Sequence, residues 1–420
     1  PGQAGRGGNV KMTADYDIAV VGAGPGGAAA AYYAAEYGFS VALLEKERFP
    51  RRKICGDAVT VRAQHHLRHM GVLEQIEEEK KGRWAAVGGL VSPSGITYIG
   101  NSEEELGSSL VIAVKREILD EKVARAAAGR GAELKEGCYV TDVIFDASAG
   151  VWRVVDINGN EIAAALLILA DGASSLLART LGVVHTPPGA VCSSVYIKAG
   201  THSCEHDGVV YYPDYLLPGY AAVFKEADGD LVFCCYIVPG GPAQPSNLKE
   251  LHYKTLTKYE PIAAALGEGA EAEEMKSAPL RLGGEKKSWD DHLMVVGDAA
   301  GQIDPLTGEG IQYAMDAGAL AAETAKEAFA RGDLSGTFLK RYHKAWMDSF
   351  GADFAWSSRM ASYAVKRPAF LDAFASRCIK KGDAIMAEWG MIMTGAQPKR
   401  KLFKPGRVLP LLFEAMRLKR

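Results

Sequence analysis

Three carboxylates in this chain stand where an apolar run stops: Glu45 after Ser40–Leu44, Asp171 after LLILA, and Asp298 after LMVVG. Acids at strand ends accept hydrogen bonds from sugar hydroxyls or hold cations. The first of them follows a glycine pattern that narrows the choice. Ile18–Val21 is a continuous apolar run of the kind expected in a strand buried on both faces, and Gly22, Gly24 and Gly27 follow it as GxGxxG. Gly22 permits a tight turn, Gly24 lets the backbone approach a pyrophosphate, and Gly27 lets helix and strand pack closely. Ala28–Tyr37 is rich in helix formers, so free N–H groups and a positive dipole end face the phosphates. Glu45, 18 residues beyond Gly27, then accepts from ribose hydroxyls and repels a 2′-phosphate, which selects FAD or NAD over NADP. Lys46 sits beside it.

The two later acids repeat the strand-then-acid plan, as Asp171-Gly172 and Gly297-Asp298. One long ligand gripped by separated parts of the chain explains three such units better than a single NAD fold with a catalytic appendage.

The elements that must position these residues are legible in part. Residues 138–170 read as a β-meander with Asn158-Gly159 as its hairpin turn. Strands near 192–198, 208–212, 220–225 and 230–238 suggest an antiparallel sheet. Its aromatics (Tyr196, Tyr211, Tyr212, Tyr220, Phe224, Phe233, Tyr236) either line an apolar cavity or fill a core. Residues 319–420 are expected to be largely helical and end in KRKLFKPGRVLPLLFEAMRLKR, a segment fit either for an anionic membrane surface or for docking on the body.

Composition removes several classes. The 420 residues are 48% hydrophobic and 24% charged, with a net charge of −3, which gives no reason to expect nucleic acid. Seven cysteines are scattered without a CxxC, so neither a zinc site nor a disulfide framework is expected, and a reducing compartment fits. His202 and His206 have helical ligand spacing but lie in a turn without a partner, so no metal is expected. No run is long enough to cross a bilayer. Residues 1–11 read as a tag remnant before Met12 or the end of a targeting segment.

GxGxxG near the start, Asp-Gly midway and Gly-Asp before a PxxGxGI turn together resemble the FAD-dependent superfamily that includes p-hydroxybenzoate hydroxylase. Within it, FPRRKICGDAV (residues 49–59) and DPLTGEGI (304–311) resemble geranylgeranyl reductases. Gly301 stands where aromatic hydroxylases carry His, and the Trp-x-Trp-x-Ile-Pro segment of halogenases is missing.

The resemblance implies a Rossmann-type α/β FAD-binding domain (14–185 and 280–330, with part of the substrate layer inserted). Interleaved with it would be an antiparallel-sheet substrate domain (186–279), followed by a helical carboxy-terminal region (331–420). It implies FAD bound by Gly22, Gly24, Gly27, Glu45, Lys46, Arg116, Asp171, Gly172 and Asp298. The turn from Pro305 to Ile311 would run beside the flavin, with Gly308 and Gly310 amides stabilising charge on it. Cys55 would border the reaction centre, or be a small buried hydrophobe. Asp57 would share that loop or cap a helix near Val59, and Arg116 would open a helix, either against the cofactor or as a solvated first-turn arginine. The family's Tyr-x-Trp-x-Phe-Pro segment is matched by Tyr220 and Phe224, but Ala222 replaces Trp and Lys225 replaces Pro, which reshapes the expected substrate wall.

The implied activity is reduction of isoprenoid double bonds, with electrons from NADPH or a reduced carrier. A monooxygenase or halogenase of the same fold, or a non-catalytic FAD-binding subunit, are the alternatives. The expected location is cytoplasmic or peripheral to a membrane, with a plastid as the alternative.

Overall fold

The computed structural model describes residues 14–418, so the segment 1–11 and Met12 lie outside the described residues. Two large sheets carry the architecture. An eight-stranded sheet has a parallel centre in the order Glu133–Glu136, Val41–Glu45, Tyr16–Val21, Glu161–Leu169 and Leu293–Val295. All five residues of Val41–Glu45 are buried, because helices cover one face of the sheet and the meander the other. The alternation of a strand explains how. Ile18, Val20 and Leu43 point into a core shared with the helices, whereas Ala19, Val21 and Leu44 meet Val143, Trp152 and Val154 of the meander. Val151–Asp156 pairs with Glu161–Leu169 across the Asn158-Gly159 turn, where Gly159 has φ +81° and Asp156 accepts from the Asn158 and Asn160 amides.

Helix Pro25–Glu36 packs against both Arg116–Arg130 and Ile311–Arg331. Small residues make the second contact close: a Cβ on Gly318 would lie 2.4 Å from the Gly26 carbonyl oxygen. This contact draws the late Gly-Asp segment and the early GxGxxG turn to the same edge of the sheet.

The second sheet has seven strands, with Lys276–Leu280, Ala190–Ile197, Leu231–Ile237, Tyr220–Lys225 and Gly208–Tyr211 antiparallel in that order. It is completed by Val87–Val91, parallel to Gly208–Tyr211, and by Thr97–Asn101. These last two strands come from the amino-terminal half, which threads the chain through both sheets. Residues 369–418 form three α-helices, Ala369–Lys381, Asp383–Met393 and Pro405–Leu418, whose Phe374, Trp389 and Leu411 share a core with Leu90 and Tyr98 of the second sheet. Among the described residues, no helix is long and apolar enough to cross a membrane.

Candidate active site

One cavity of about 1200 Å³ runs from the GxGxxG turn, between the two sheets, to the carboxy-terminal helices. At its first end the chain makes a cradle that tolerates no side chain. A Cβ on Gly22 (φ +99°) would sit 2.4 Å from the Ala170 carbonyl oxygen, and one on Gly27 would sit 1.9 Å from the Gly22 carbonyl oxygen. Gly22, Gly24, Glu45, Lys46, Arg116, Asp171 and Gly172 all border the cavity, whereas Gly27 lies behind it at the helix–strand contact. The helix begins at Pro25, earlier than the sequence pattern suggests, with Gly24 as its cap residue. Its first-turn amides therefore face the cavity without helical partners.

Glu45 is held rigidly. Its Oε2 accepts from the Ala23 amide at 3.0 Å and faces Arg51 Nη2 at 3.3 Å, while its Oε1 accepts from the Glu47 amide at 3.1 Å. Arg51 also donates to Asp120 Oδ2 at 2.8 Å, and Asp120 takes Arg116 through both oxygens at 2.7 and 2.9 Å. Arg116 does open a helix, but it is buried rather than solvated, and this pairing holds its guanidinium pKa above the usual value. Arg51 and Asp120 were not singled out by the sequence. They are 69 residues apart, and only the fold shows that together they aim Glu45 and Arg116.

Asp171 Oδ1 is buried and has no hydrogen-bond partner in the protein, and burial pushes this carboxyl up to about 6. A ligand hydroxyl donating to it would meet that need. The glycine cradle, the orphaned Asp171 oxygen and the Glu45 clamp together fit a dinucleotide along this edge.

In the middle of the cavity lie Asp298, on a 3₁₀ turn spanning Gly297–Ala300, and the turn that follows it. Asp304 shapes that turn. Its Oδ1 accepts from the Leu306 and Thr307 amides, and its Oδ2 accepts from Ser357 Oγ at 2.8 Å and lies 3.4 Å from Lys399 Nζ. Two sequence expectations need correction here. The Gly308 amide donates to the Asp304 carbonyl at 2.9 Å, so it is engaged within the turn and is not free to stabilise charge in the cavity. Pro305 is buried behind the wall, against the Tyr236 hydroxyl and Gly283, and does not line the cavity. Gly310, the cap residue, and Ile311 do line it, and the first-turn amides of Ile311–Arg331 are the donors that remain.

Strand alternation decides the far wall. Tyr220, Ala222 and Phe224 face the cavity, opposite Tyr236 and Cys234 of the paired strand, while Ala221, Val223 and Phe233 point into the core behind. The aromatics therefore divide: Tyr212, Tyr220, Phe224 and Tyr236 line the cavity, and Tyr196, Tyr211 and Phe233 do not. Tyr220 donates its hydroxyl to the Thr307 carbonyl and so ties this wall to the turn. Ala222 leaves the wall low between Val210 and Cys234, its cross-strand neighbours. Beyond it the cavity is closed by Phe374, Met386 and Trp389 of the carboxy-terminal helices.

The titratable groups are unevenly placed. Cys55 lines the cavity and burial raises its thiol pKa, which favours the protonated form. Asp57 does not cap a helix: Ala58–Thr60 is a strand, the next helix starts at Val61, and Asp57 is fully buried at φ 57°. It accepts from the Tyr196 hydroxyl behind the cavity wall, and burial pushes it up to about 7. Glu309, between the two turn glycines, faces the cavity itself. Burial pushes it up to about 8, with Asp304 adding to the rise and Lys399 opposing it, and its Oε2 accepts from Gln312 Nε2 at 2.7 Å. The sequence shows this acid in GEG, but its raised pKa depends on burial that only the fold supplies. His202 bonds the Gly229 carbonyl, and the described residues contain no group of three or more His, Cys, Asp or Glu that could hold a metal.

Residues 15–348 match the family described as FAD binding domain. A digeranylgeranylglycerophospholipid reductase of Methanosarcina mazei is 32% identical over 81% of this chain and 83% of its own length. The chain belongs to the geranylgeranyl reductase family of FAD-dependent oxidoreductases. Its cofactor is FAD. Conditioned medium factor receptor 1 of Dictyostelium discoideum is 49% identical over 93% of this chain and 79% of its own length. A geranylgeranyl bacteriochlorophyll reductase-like protein of Thermoplasma acidophilum has the same fold, with a TM-score of 0.74 at 22% identity over 92% of this chain and 98% of that one.

Proposed function

We propose that this reductase-family protein saturates carbon–carbon double bonds of an isoprenoid, geranylgeranyl-type lipid drawn from a membrane surface, with electrons from NADPH or a reduced carrier. The observation that carries the reading is the one continuous cavity that joins the dinucleotide cradle to an apolar chamber, with Glu309, its pKa raised by burial, facing it at the junction. In this reading the helix amino terminus at Gly24–Gly26 takes the pyrophosphate. Glu45 and Lys46 take the ribose end, with Arg116, Asp171, Gly172 and Asp298 along the rest of FAD. The eight-stranded sheet is the cofactor layer and the seven-stranded sheet the substrate layer, the chain crossing between them near residues 185 and 280 and also inserting strands Val87–Val91 and Thr97–Asn101 into the substrate layer. Reduced FAD, when bound, supplies a hydride. An unactivated alkene needs a proton as well, and Glu309, its carboxyl pKa pushed up to about 8 by burial, is placed to supply one. Cys55 faces the same space with its thiol protonated. Tyr220, Ala222 and Phe224 shape the apolar wall, and the low wall at Ala222 admits a bulkier chain than a Trp there would.

The test is anaerobic. Protein reduced with dithionite and supplied with a geranylgeranyl phospholipid should yield products heavier by two hydrogens per double bond. Flavin reoxidation only with O₂ plus halide or an aromatic compound would move the protein to the oxygen-using branch. The similarity to a protein named as a receptor favours a second reading, an FAD-holding binding protein without turnover. Tight lipid binding with no mass change would select it.

A further inference from the structure

The helix Pro405–Leu418 is apolar on both sides. Its inner face is fixed on helix Ala369–Lys381 by buried Leu411 and by Glu414, which accepts from Ser376 Oγ at 2.8 Å and pairs with Lys380. The opposite face carries Leu409, Phe413 and Met416 at i, i+4 and i+7, and these are 51%, 67% and 56% exposed. Four of the eleven large exposed hydrophobics among the described residues lie in these fourteen residues, so the exposure is concentrated rather than scattered. Ile379, on the helix it packs against, is exposed too. Cations rim the stripe: Arg400 and Lys404 before the helix, Arg417 at its end and Lys381 on the neighbour are all exposed. Residues 400–417 hold five cationic side chains and one acid, in a chain whose net charge is −3. The neighbouring helix supplies Leu371 and Phe374 to the cavity wall, so the stripe is one helix away from the chamber.

We infer that this face docks on an anionic lipid bilayer, with Leu409, Phe413 and Met416 inserted among the acyl chains and Arg400, Lys404 and Arg417 at the phosphate level. The charge pattern selects this occupant. An apolar stripe with a cationic rim complements anionic headgroups over a hydrocarbon interior, whereas a second copy of the same face would set like charges against each other. The inference rests on the lipid-reductase reading and adds the surface and its orientation: docking brings the chamber's end wall to the bilayer from which a prenyl chain would come.

Sedimentation with phosphatidylcholine vesicles, with and without phosphatidylglycerol, tests it using the FAD-loaded protein. The wild type should pellet with the anionic vesicles and be released by salt. Phe413→Glu should bind about tenfold more weakly or worse, from the loss of one buried aromatic side chain. The pair Arg400→Glu and Lys404→Glu, which leaves the helix core untouched, should weaken anionic binding roughly fivefold per charge and leave any neutral-vesicle binding unchanged. Circular dichroism must show each variant folded. A wild type that stays in the supernatant, or variants that pellet as it does, would overturn the inference. So would a dimer by light scattering that Phe413→Glu dissociates, because the face would then belong to a second copy. Turnover of detergent-solubilised substrate separates the two claims. Turnover without vesicle binding sinks the docking surface alone, and vesicle binding without any isoprenoid turnover sinks the reductase reading alone.

Discussion

Replacing Glu309 by Gln keeps the shape of the turn and an oxygen for Gln312 Nε2 to donate to, and removes only the transferable proton. The gap between a folded value of about 8 and the ordinary 4.5 corresponds to about 5 kcal/mol against the ionised form, at 1.36 kcal/mol per pKa unit. Two consequences follow. In turnover, loss of a positioned acid should lower kcat by roughly 10²–10⁴-fold. The wild type should lose activity as pH rises through about 8, and the variant's residual rate should lack that alkaline limb. In stability, the sign is fixed by the raised folded value. The stabilisation is fully present below 4.5, declines as pH rises from there, and is lost through about 8. Glu309→Gln should therefore melt at a temperature less dependent on pH across that window than the wild type. The assay is kcat against pH with reduced protein and geranylgeranyl lipid, alongside thermal melts at matched pH, with the flavin absorbance confirming equal cofactor loading. A variant that keeps the wild-type rate together with its alkaline limb would remove Glu309 from the chemistry.

Ala222→Trp should lower the volume left between Val210 and Cys234 and shift preference to shorter prenyl chains, raising KM for the geranylgeranyl substrate more than it lowers kcat; equal KM values would place the chain elsewhere. Lys399→Met should destabilise the fold by about 3–5 kcal/mol in urea melts, because Asp304 would stay buried without its cation. Gly27→Ala should abolish FAD retention or folding, since its Cβ would fall 1.9 Å from a backbone oxygen, and a yellow, stable variant would contradict the described helix position.

What the sequence made legible was local. GxGxxG followed by an acid 18 residues later, and Asn158-Gly159 between two apolar runs, each put their whole signal within one supersecondary unit. The late Gly-Asp segment became interpretable only beside the other two strand-end acids. The rest was hidden for physical reasons. Strands Val87–Val91 and Thr97–Asn101 contain Gly88, Gly89 and Gly100, which blur the alternation, and a Cβ on Gly89 would meet the Tyr98 carbonyl at 1.8 Å. The Arg51–Asp120–Arg116 network and the Lys399–Asp304 pair join residues that only tertiary packing brings together. The Gly308 amide looked available because its turn partner, the Asp304 carbonyl, cannot be read from residue types.

The Lys399–Asp304 pair also ties the flavin-side turn to the far end of the chain. Asp304 shapes the turn that borders the cavity, yet its cation lies 95 positions later, among the carboxy-terminal helices. The Leu306 and Thr307 amides and Ser357 Oγ satisfy Asp304 as an acceptor, but among the described residues only Lys399 offsets its charge at this depth. The turn that borders the cavity is thus braced from the far end of the chain, and a protein cut short before Lys399 would keep the flavin-side acid but lose the cation that makes its burial tolerable.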